Sequence, residues 1–140
     1  MRPIRSILET ILYSTDLATA HDFYRDVLGL TPLGGPSSLA VGFRINAEHV
    51  LLIFNPVVSG QTGRDVPSHG THGPGHIAFR IDASEFESWM DHLVRRGIEI
   101  EQVHAWEQGG RSMYCRDPAG NSVELIDTDI WPGRAAAQRS

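Results

Sequence analysis

The sequence predicts a domain of the α+β class built from two βαβββ units. The chain has 140 residues with 41% hydrophobic content, which suits one well-packed domain. Two amphipathic helix patterns occur, and each is preceded by one strand pattern and followed by three. We therefore expect a single domain over 1–140, with module one at about 5–56, a connecting loop at about 57–74, module two at about 75–128 and a tail at 129–140.

The elements of the first half follow from periodicity and from turn residues. A strand pattern over 6–14 precedes a helix pattern over 16–29, whose apolar residues recur on one face and which a glycine ends. Three strand-like runs follow, separated by Gly, Pro, Ser, Asn and Glu, at 30–35, 39–45 and 49–55.

The second half repeats this order. A strand pattern over 75–81 precedes a helix pattern over 83–97, in which Ser84-x-x-Glu87 has the form of a capping box. Three further strand patterns occupy 98–106, 110–117 and 121–127. Identity between the halves is low, so the internal duplication depends on element order and spacing.

The connecting loop is rich in Gly, Pro and Ser, and loops of this length are often functional. It carries His69 and His72. Each is either a wall residue or fourth ligand of a pocket, or an ordinary solvated histidine.

Composition excludes several classes of function. Seventeen acidic residues against 12 basic ones give a formal charge of -5, and the basic residues form no stripe, which argues against nucleic acid as a partner. No apolar run approaches the length of a membrane span, and the start of the chain lacks the apolar core of a secretory signal. A single cysteine, Cys115, excludes an intramolecular disulfide. We expect a cytoplasmic protein.

The two halves place polar residues at equivalent positions. Glu9 lies 20 positions before Gly29, and His76 lies 21 positions before Gly97. If the halves pack as pseudo-equivalent sheets, Glu9 and His76 face each other. Glu124, in the middle of the last strand of the second half, would then come within reach of both.

Such a cluster suits a metal ion. Two buried carboxylates oppose each other's ionisation, and a divalent cation removes that cost. Carboxylate, imidazole and carboxylate ligands suit Mn(II), Fe(II), Ni(II), Co(II) or Zn(II). Three protein ligands leave positions open for substrate, as in catalytic sites.

The strings ETILYSTDLATAHDFYRDVLGL, GPGHIAFRID and RDPAGNSVELID resemble the vicinal oxygen chelate superfamily, which includes glyoxalase I, extradiol dioxygenases, fosfomycin-resistance enzymes and bleomycin-binding proteins. The resemblance covers roughly 5–128. It implies two modules forming a cupped mixed sheet around a central cavity. It also implies a metal held by Glu9, His76 and Glu124, and a homodimer.

The sequence departs from several branches of that family. Glu9 stands where many members have histidine, which weakens the dioxygenase interpretation. The run HVLLIF, with Leu51 as the nearest match, offers no fourth ligand of the glyoxalase I kind. Tyr114 matches a tyrosine of the fosfomycin-type thiol transferases, three residues before the Asp-Pro turn, although their potassium-binding loop has no clear counterpart.

Several further residues are candidates for catalysis or substrate binding. Glu124 and Tyr114 are the candidate catalytic residues, with Tyr114 donating a proton or packing into the cup. Arg80 binds a substrate carboxylate or phosphate, or pairs with a surface acid. Tyr13 shares the face of Glu9, and Trp106 lines the cavity or closes a dimer interface. Any of the three ligand candidates could instead be an ordinary surface or packed residue.

Two functional hypotheses follow. The first is a metal-dependent enzyme acting on a small oxygen-chelating substrate, either an isomerase or lyase of glyoxalase type or an enzyme adding a thiol or water to an epoxide. The second is a metal-independent protein that binds a ligand in an aromatic-lined cup, as in bleomycin sequestration. An extradiol-type dioxygenase is a further alternative.

Overall fold

The computed structural model describes residues 1–133 and confirms the α+β class, with two four-stranded mixed sheets of the same topology. Part of the predicted tail, 134–140, lies outside the described residues. Each sheet has its first strand parallel to its fourth, and the other neighbouring strands antiparallel. Both halves are therefore βαβββ units, as the sequence predicts.

The first sheet has the strand order β1-β4-β3-β2. Its helix α1 continues into a wider, π-helical turn over Phe23–Val27. A short helix, α2, follows the last strand and occupies the beginning of the predicted loop, where Asn55 caps it. The bounds are β1 Glu9–Tyr13, α1 Leu17–Asp22, β2 Thr31–Pro32, β3 Ala40–Arg44, β4 Val50–Phe54 and α2 Pro56–Ser59.

The second sheet has the order β5-β8-β7-β6. A 3₁₀ turn over Ala83–Glu85 precedes its helix, and Ser84 makes no capping bond there, so the predicted capping box does not form. The helix begins later than the sequence pattern suggests because this tighter turn occupies its first residues. The bounds are β5 His76–Arg80, α3 Phe86–Arg95, β6 Gln102–Ala105, β7 Arg111–Arg116 and β8 Ser122–Ile126.

One hydrophobic core takes residues from both halves. The π-helical turn that follows α1 lies against α3, since His92 Nε2 is 2.7 Å from the carbonyl oxygen of Val27. Each sheet buries one face against this core and leaves its other face open. The most buried core residues include Leu12, Tyr24, Phe43, Leu51, Ile53, Phe86, Leu93, Met113, Val123 and Leu125. Within residues 1–133, no helix is long and apolar enough to cross a bilayer.

Cys115 lies in this core and is expected to be unreactive. Its side chain is 1% exposed, and burial together with the nearby Asp117 carboxylate raises the pKa of the thiol to about 11. The reactive thiolate is therefore scarce at neutral pH. A chromogenic disulfide reagent at pH 8 should label Cys115 only after denaturant is added. Rapid labelling of the native protein would contradict this packing.

Candidate functional site

The open face of the second sheet carries the polar residues that the sequence singles out. Alternation places His76, Ala78 and Arg80 of β5 on this face, beside Glu124 of β8. A cavity of about 470 Å³ lies over it. Its lining combines titratable, aromatic and aliphatic groups, including His76, Arg80, Trp106, Glu124, Ile126 and Trp131.

Glu124 is a buried carboxylate held by a hydrogen-bonded relay. Its side chain is among the buried polar groups, and its Oε2 accepts a 2.6 Å bond from the Ser112 hydroxyl. The indole N–H of Trp106 donates in turn to Ser112 Oγ at 2.8 Å. Ser112 is itself fully buried. The relay fixes one carboxylate oxygen and leaves the other directed at His76.

His76 completes a pair with Glu124. Its Nε2 lies 3.2 Å from Glu124 Oε1, and its Nδ1 lies 3.1 Å from the carbonyl oxygen of Ser122. A carbonyl oxygen only accepts, so Nδ1 carries a proton. In a neutral imidazole the Nε2 lone pair then faces the carboxylate oxygen. Two acceptors at this distance require a proton or a cation that both can bind.

This donor set fits a divalent cation. Adjacent ligands at about 2.1 Å from a six-coordinate metal are about 3 Å apart, close to the separation of Nε2 and Oε1. The Ser122 carbonyl orients the imidazole, and Ser112 orients the carboxylate. Outer groups of this kind commonly orient metal ligands. No thiolate is close, since Cys115 points into the core.

Glu9 lies apart from this pair within one chain. Residues 1–133 contain no group of three His, Cys, Asp or Glu side chains able to hold a metal ion. Glu9 is exposed at the start of β1. At the other end of that strand, about 13 Å away along the backbone, the carbonyl oxygen of Tyr13 accepts a bond from Asn121 Nδ2. The end of β1, and not its start, therefore lies beside the second module.

The connecting loop folds over the open face of the first sheet. His69 Nδ1 lies 2.7 Å from the Tyr13 hydroxyl, and its ring packs edge-on against Phe54. Tyr13 therefore contacts the loop and does not line the cavity over His76. His72 is exposed in the same loop. Within the described chain, neither histidine joins His76 and Glu124 in a three-residue cluster.

Tyr114 and Arg80 flank the pair. The Tyr114 ring lies nearly parallel to that of His76, with 6.5 Å between ring centroids. Burial raises the pKa of Tyr114, and the Glu124 charge adds to this, so the phenol stays protonated near neutral pH and can donate. Arg80 is exposed on the same face of β5, four residues along the strand from His76, and it also lines the cavity.

Sequence reasoning missed the role of Ser112. Ser112 lies on β7 and points to the same face as Tyr114, which pairs with Glu124 in the strand register. The alternation of side chains along β7 was the sequence signal that could have placed Ser112 beside Glu124.

The candidate fourth-ligand position, Leu51, is fully buried in the core. Its neighbour Leu52 is the half-buried residue of the open face.

Comparison with known proteins identifies the family. A model of the Glyoxalase/Bleomycin resistance protein/Dioxygenase superfamily matches residues 6–125, which is most of the chain. The chain belongs to this superfamily. Its two open-faced sheets of identical strand order are thus the two modules of the superfamily fold, as the resemblance in the sequence implies.

Among superfamily members of known structure, a lactoylglutathione lyase from Agrobacterium tumefaciens is 37% identical, with a TM-score of 0.86, and the match covers 94% of this chain and 100% of that one. The metallothiol transferase FosB from Staphylococcus epidermidis is 27% identical over 124 residues, covering 87% of this chain and 81% of the relative. Both are named as enzymes.

A third similar superfamily structure is a variant of the fosfomycin resistance protein FosX from Listeria monocytogenes, complexed with Mn(II) and 1S,2S-dihydroxypropylphosphonic acid. It is 21% identical, with a TM-score of 0.68, and the match covers 91% of this chain and 94% of that one. At this identity the likeness concerns the fold alone.

Proposed function

We propose that the protein is a divalent-metal-dependent enzyme of glyoxalase-like type that acts on a small oxygen-chelating substrate. The observation that carries this proposal is the His76–Glu124 pair. Two acceptor atoms lie 3.2 Å apart in an open cavity, and each ligand is oriented by a further hydrogen bond. Burying a carboxylate this way without a partner cation is costly.

Glu9, His76 and Glu124 would hold the ion. A divalent cation there would bind two oxygens of the substrate and stabilise an oxyanion formed during the reaction. The ligand types suit Mn(II), Fe(II), Ni(II), Co(II) or Zn(II). The Mn(II) named in the FosX complex supports a metal of this group.

A second copy of the chain would supply Glu9. Both β1 and β5 are end strands of their sheets, and each has one unpaired edge among the described residues. Exposed apolar side chains lie just before β1, at Ile4, Ile7 and Leu8. A homodimer that places β1 of one copy beside β5 of the other would cover these residues. It would also bring the equivalent positions Glu9 and His76 together across the interface.

The remaining side chains would bind and protonate the substrate. Tyr114 is held protonated by burial and by Glu124, so it can donate a hydrogen bond or a proton to a substrate oxygen. Arg80 would bind an anionic substrate group through its guanidinium. Tyr13 shares the face of Glu9 and would contact the substrate from the second copy.

Two reaction types fit this arrangement. An isomerase or lyase reaction needs a proton moved next to a stabilised oxyanion. The similar structure from Agrobacterium tumefaciens is named a lyase. Addition of a thiol or water to an epoxide needs the same oxyanion stabilisation, and the FosB relative is named a metallothiol transferase. In both, Glu124 and Tyr114 would stand closest to the reacting oxygens.

Thermal unfolding of chelator-stripped protein, with and without each of the five metals, tests the proposal. A metal at about 100 times its Kd adds about 2.7 kcal/mol to the folded state, or roughly 5 to 10 °C in Tm. The Glu124→Gln variant should lose this gain. Glu99→Gln, a change at an exposed glutamate outside the site, should keep it. Absence of any shift with all five metals in the native protein would refute the metal site.

Ser112→Ala should weaken metal binding without removing a ligand. The change deletes the donor to Glu124 Oε2 and leaves the Trp106 indole without its acceptor. Loss of an orienting partner typically costs 10- to 100-fold in metal affinity, so we expect about that increase in Kd. Titration followed by calorimetry measures it, with Ser84→Ala at the exposed turn before α3 as control. Equal Kd values in the two variants would show that the relay is not needed.

A metal-independent binding protein is the second candidate. The open face of the first sheet favours it, because that face is largely apolar and partly exposed, with Ile11, Leu33, Leu52 and Phe54. Such a surface suits a planar apolar ligand. Tight binding of a planar cationic drug in the presence of chelator, with no metal shift in Tm, would support this function instead.

A further inference from the structure

Two tryptophans flank the cavity that contains His76 and Glu124, and only Trp106 is anchored by a side-chain hydrogen bond. Trp131, just after the last strand, lines the same cavity with 76% of its surface exposed. We propose that Trp131 determines substrate specificity by packing on a flat apolar group of an anionic substrate. This inference rests on the proposed function, since it assigns a substrate class to the same site.

The segment that carries Trp131 is fixed to the second sheet. The Asp127 amide donates to the carbonyl oxygen of Arg111, and Asp127 Oδ1 accepts from the Arg111 amide at 2.7 Å. Asp129 Oδ1 accepts from the Trp131 amide at 2.9 Å. The carbonyl of Ile130 accepts from Gln108 Nε2 at 3.3 Å. The indole is therefore placed at the cavity rim by its own backbone, which leaves the ring surface available.

Gly110 permits this close crossing. It has a positive φ of 87°, and a Cβ built on it would lie 2.2 Å from Thr128 Cγ2. Any side chain at this position must displace Thr128, which itself lines the cavity. The segment from Asp127 to Trp131 therefore depends on a glycine in the β6–β7 turn. A substitution at Gly110 should therefore shift the cavity wall formed by this segment while leaving the Trp131 side chain chemically unchanged.

The floor of the cavity indicates the shape of the substrate. His76, Ala78 and Arg80 follow each other on one face of β5. The small apolar side chain of Ala78 therefore separates the proposed metal-binding end, at His76, from the guanidinium of Arg80. The α-carbons of His76 and Arg80 are about 13 Å apart. Ile126 lies beside Arg80 in the strand register. A ligand that reaches both ends thus has an apolar middle portion, which Trp131 would cover.

The substrate class is then a small molecule with oxygens for the His76–Glu124 end, a flat apolar portion and an anionic oxygen group for Arg80. Carboxylate and phosphonate or phosphate groups share the chemistry that a guanidinium recognises. Indole faces pack well on flat apolar groups, and aromatic pairs gain stabilisation beyond their buried area. A competing occupant for an exposed tryptophan is a second copy of the chain.

Matched ligands test the proposal on the full chain. Binding of phenylphosphonate and methylphosphonate is measured by calorimetry, in protein loaded with Mn(II) and in protein treated with chelator. We expect native protein to prefer phenylphosphonate, and Trp131→Ala to reduce that preference by about threefold to tenfold. Arg80→Gln should weaken both ligands alike. The same measurement with benzoate and acetate shows whether Arg80 binds a carboxylate as tightly as a phosphonate.

Controls separate this inference from the proposed function. Val94→Ala, at an exposed site on α3, should leave the preference unchanged. Gly110→Ala should reduce it as Trp131→Ala does, with Tm showing that the variant remains folded. An equal affinity of native protein for both phosphonates, or no binding of either, overturns the role of Trp131. So does conversion of a dimer to monomers by Trp131→Ala. Failure of Mn(II) to bind, with the phenyl preference intact in chelator, refutes only the metal-dependent function.

Discussion

Replacing Asp117 with alanine is expected to lower the free energy of unfolding by about 3 to 5 kcal/mol. The carboxylate is 4% exposed and accepts four hydrogen bonds. Its donors are the Tyr24 hydroxyl, the amides of Ala119 and Asn121, and the Asn121 side chain. Alanine would leave these buried donors without an acceptor, and each such group costs about 1 to 3 kcal/mol.

The effect is large because Asp117 lies where the modules meet. Tyr24 belongs to the first module, and its hydroxyl donates to Asp117 at 2.8 Å. Burial, followed by the Asp117 charge, raises the pKa of Tyr24, so the phenol remains a donor. Asn121, held by Asp117, accepts from the Gly75 amide and donates to the Tyr13 carbonyl. One turn thereby fixes the end of β1 and the start of β5.

Denaturant unfolding at neutral pH measures the loss. Asp91→Ala, on the exposed face of α3, serves as the matched control and should change the free energy by less than about 0.5 kcal/mol. Tyr24→Phe should cost about 1 to 2 kcal/mol, since Asp117 keeps its other donors. A coupling near zero between Tyr24→Phe and Asp117→Ala in a double-mutant cycle would show that the bond does not join the modules energetically.

The second large effect is expected at Glu9. Glu9→Gln should raise the Kd of the bound metal by at least about 100-fold, since removing a direct ligand costs more than the 10- to 100-fold typical of an outer partner. The structure of one chain alone does not predict this loss of affinity. Glu9 is exposed, and residues 1–133 of one chain contain no three-ligand cluster that it could join. The result follows only if a second copy brings Glu9 to His76 and Glu124.

Stability and metal binding separate the possible causes. Glu9→Gln should leave Tm in chelator within about 2 °C of native protein, since an exposed residue contributes little to folding. Only the metal-induced rise in Tm should disappear, whereas Glu99→Gln keeps it. A Glu9→Gln variant that binds metal as well as native protein would remove Glu9 from the site and leave His76 and Glu124 with another third ligand.

Much of the fold could be predicted because local periodicity encodes it. The order of strands and helices in both halves follows from alternation and helical spacing, and the structure reproduces that order. Strand alternation also places Glu124 on the open face and Val123 and Leu125 in the core. Pairing of β5 with β8 could be anticipated from the repeat, and it brings His76 to Glu124.

What the sequence could not supply depends on contacts distant in the chain. The packing of one module on the other is set by hydrogen bonds of Asp117 and Asn121. In the sequence alone, these two residues indicate only a turn. The expected capping box fails because a 3₁₀ turn replaces the first helical turn. Convergence of Glu9 with His76 assumed that the pseudo-equivalent strands face each other within one chain. In the structure the other end of β1 takes that place.

Complementation between two inactive variants tests the shared metal site most directly. Glu9→Gln and Glu124→Gln proteins are mixed, unfolded and refolded together, and bound Mn(II) is counted by electron paramagnetic resonance. In a dimer whose sites combine two copies, neither variant alone binds Mn(II) tightly. Random pairing gives half mixed dimers, each with one intact site, so about a quarter of the native sites should return. No recovery in the mixture, with both variants folded, would contradict a site that takes Glu9 from one copy and His76 and Glu124 from the other.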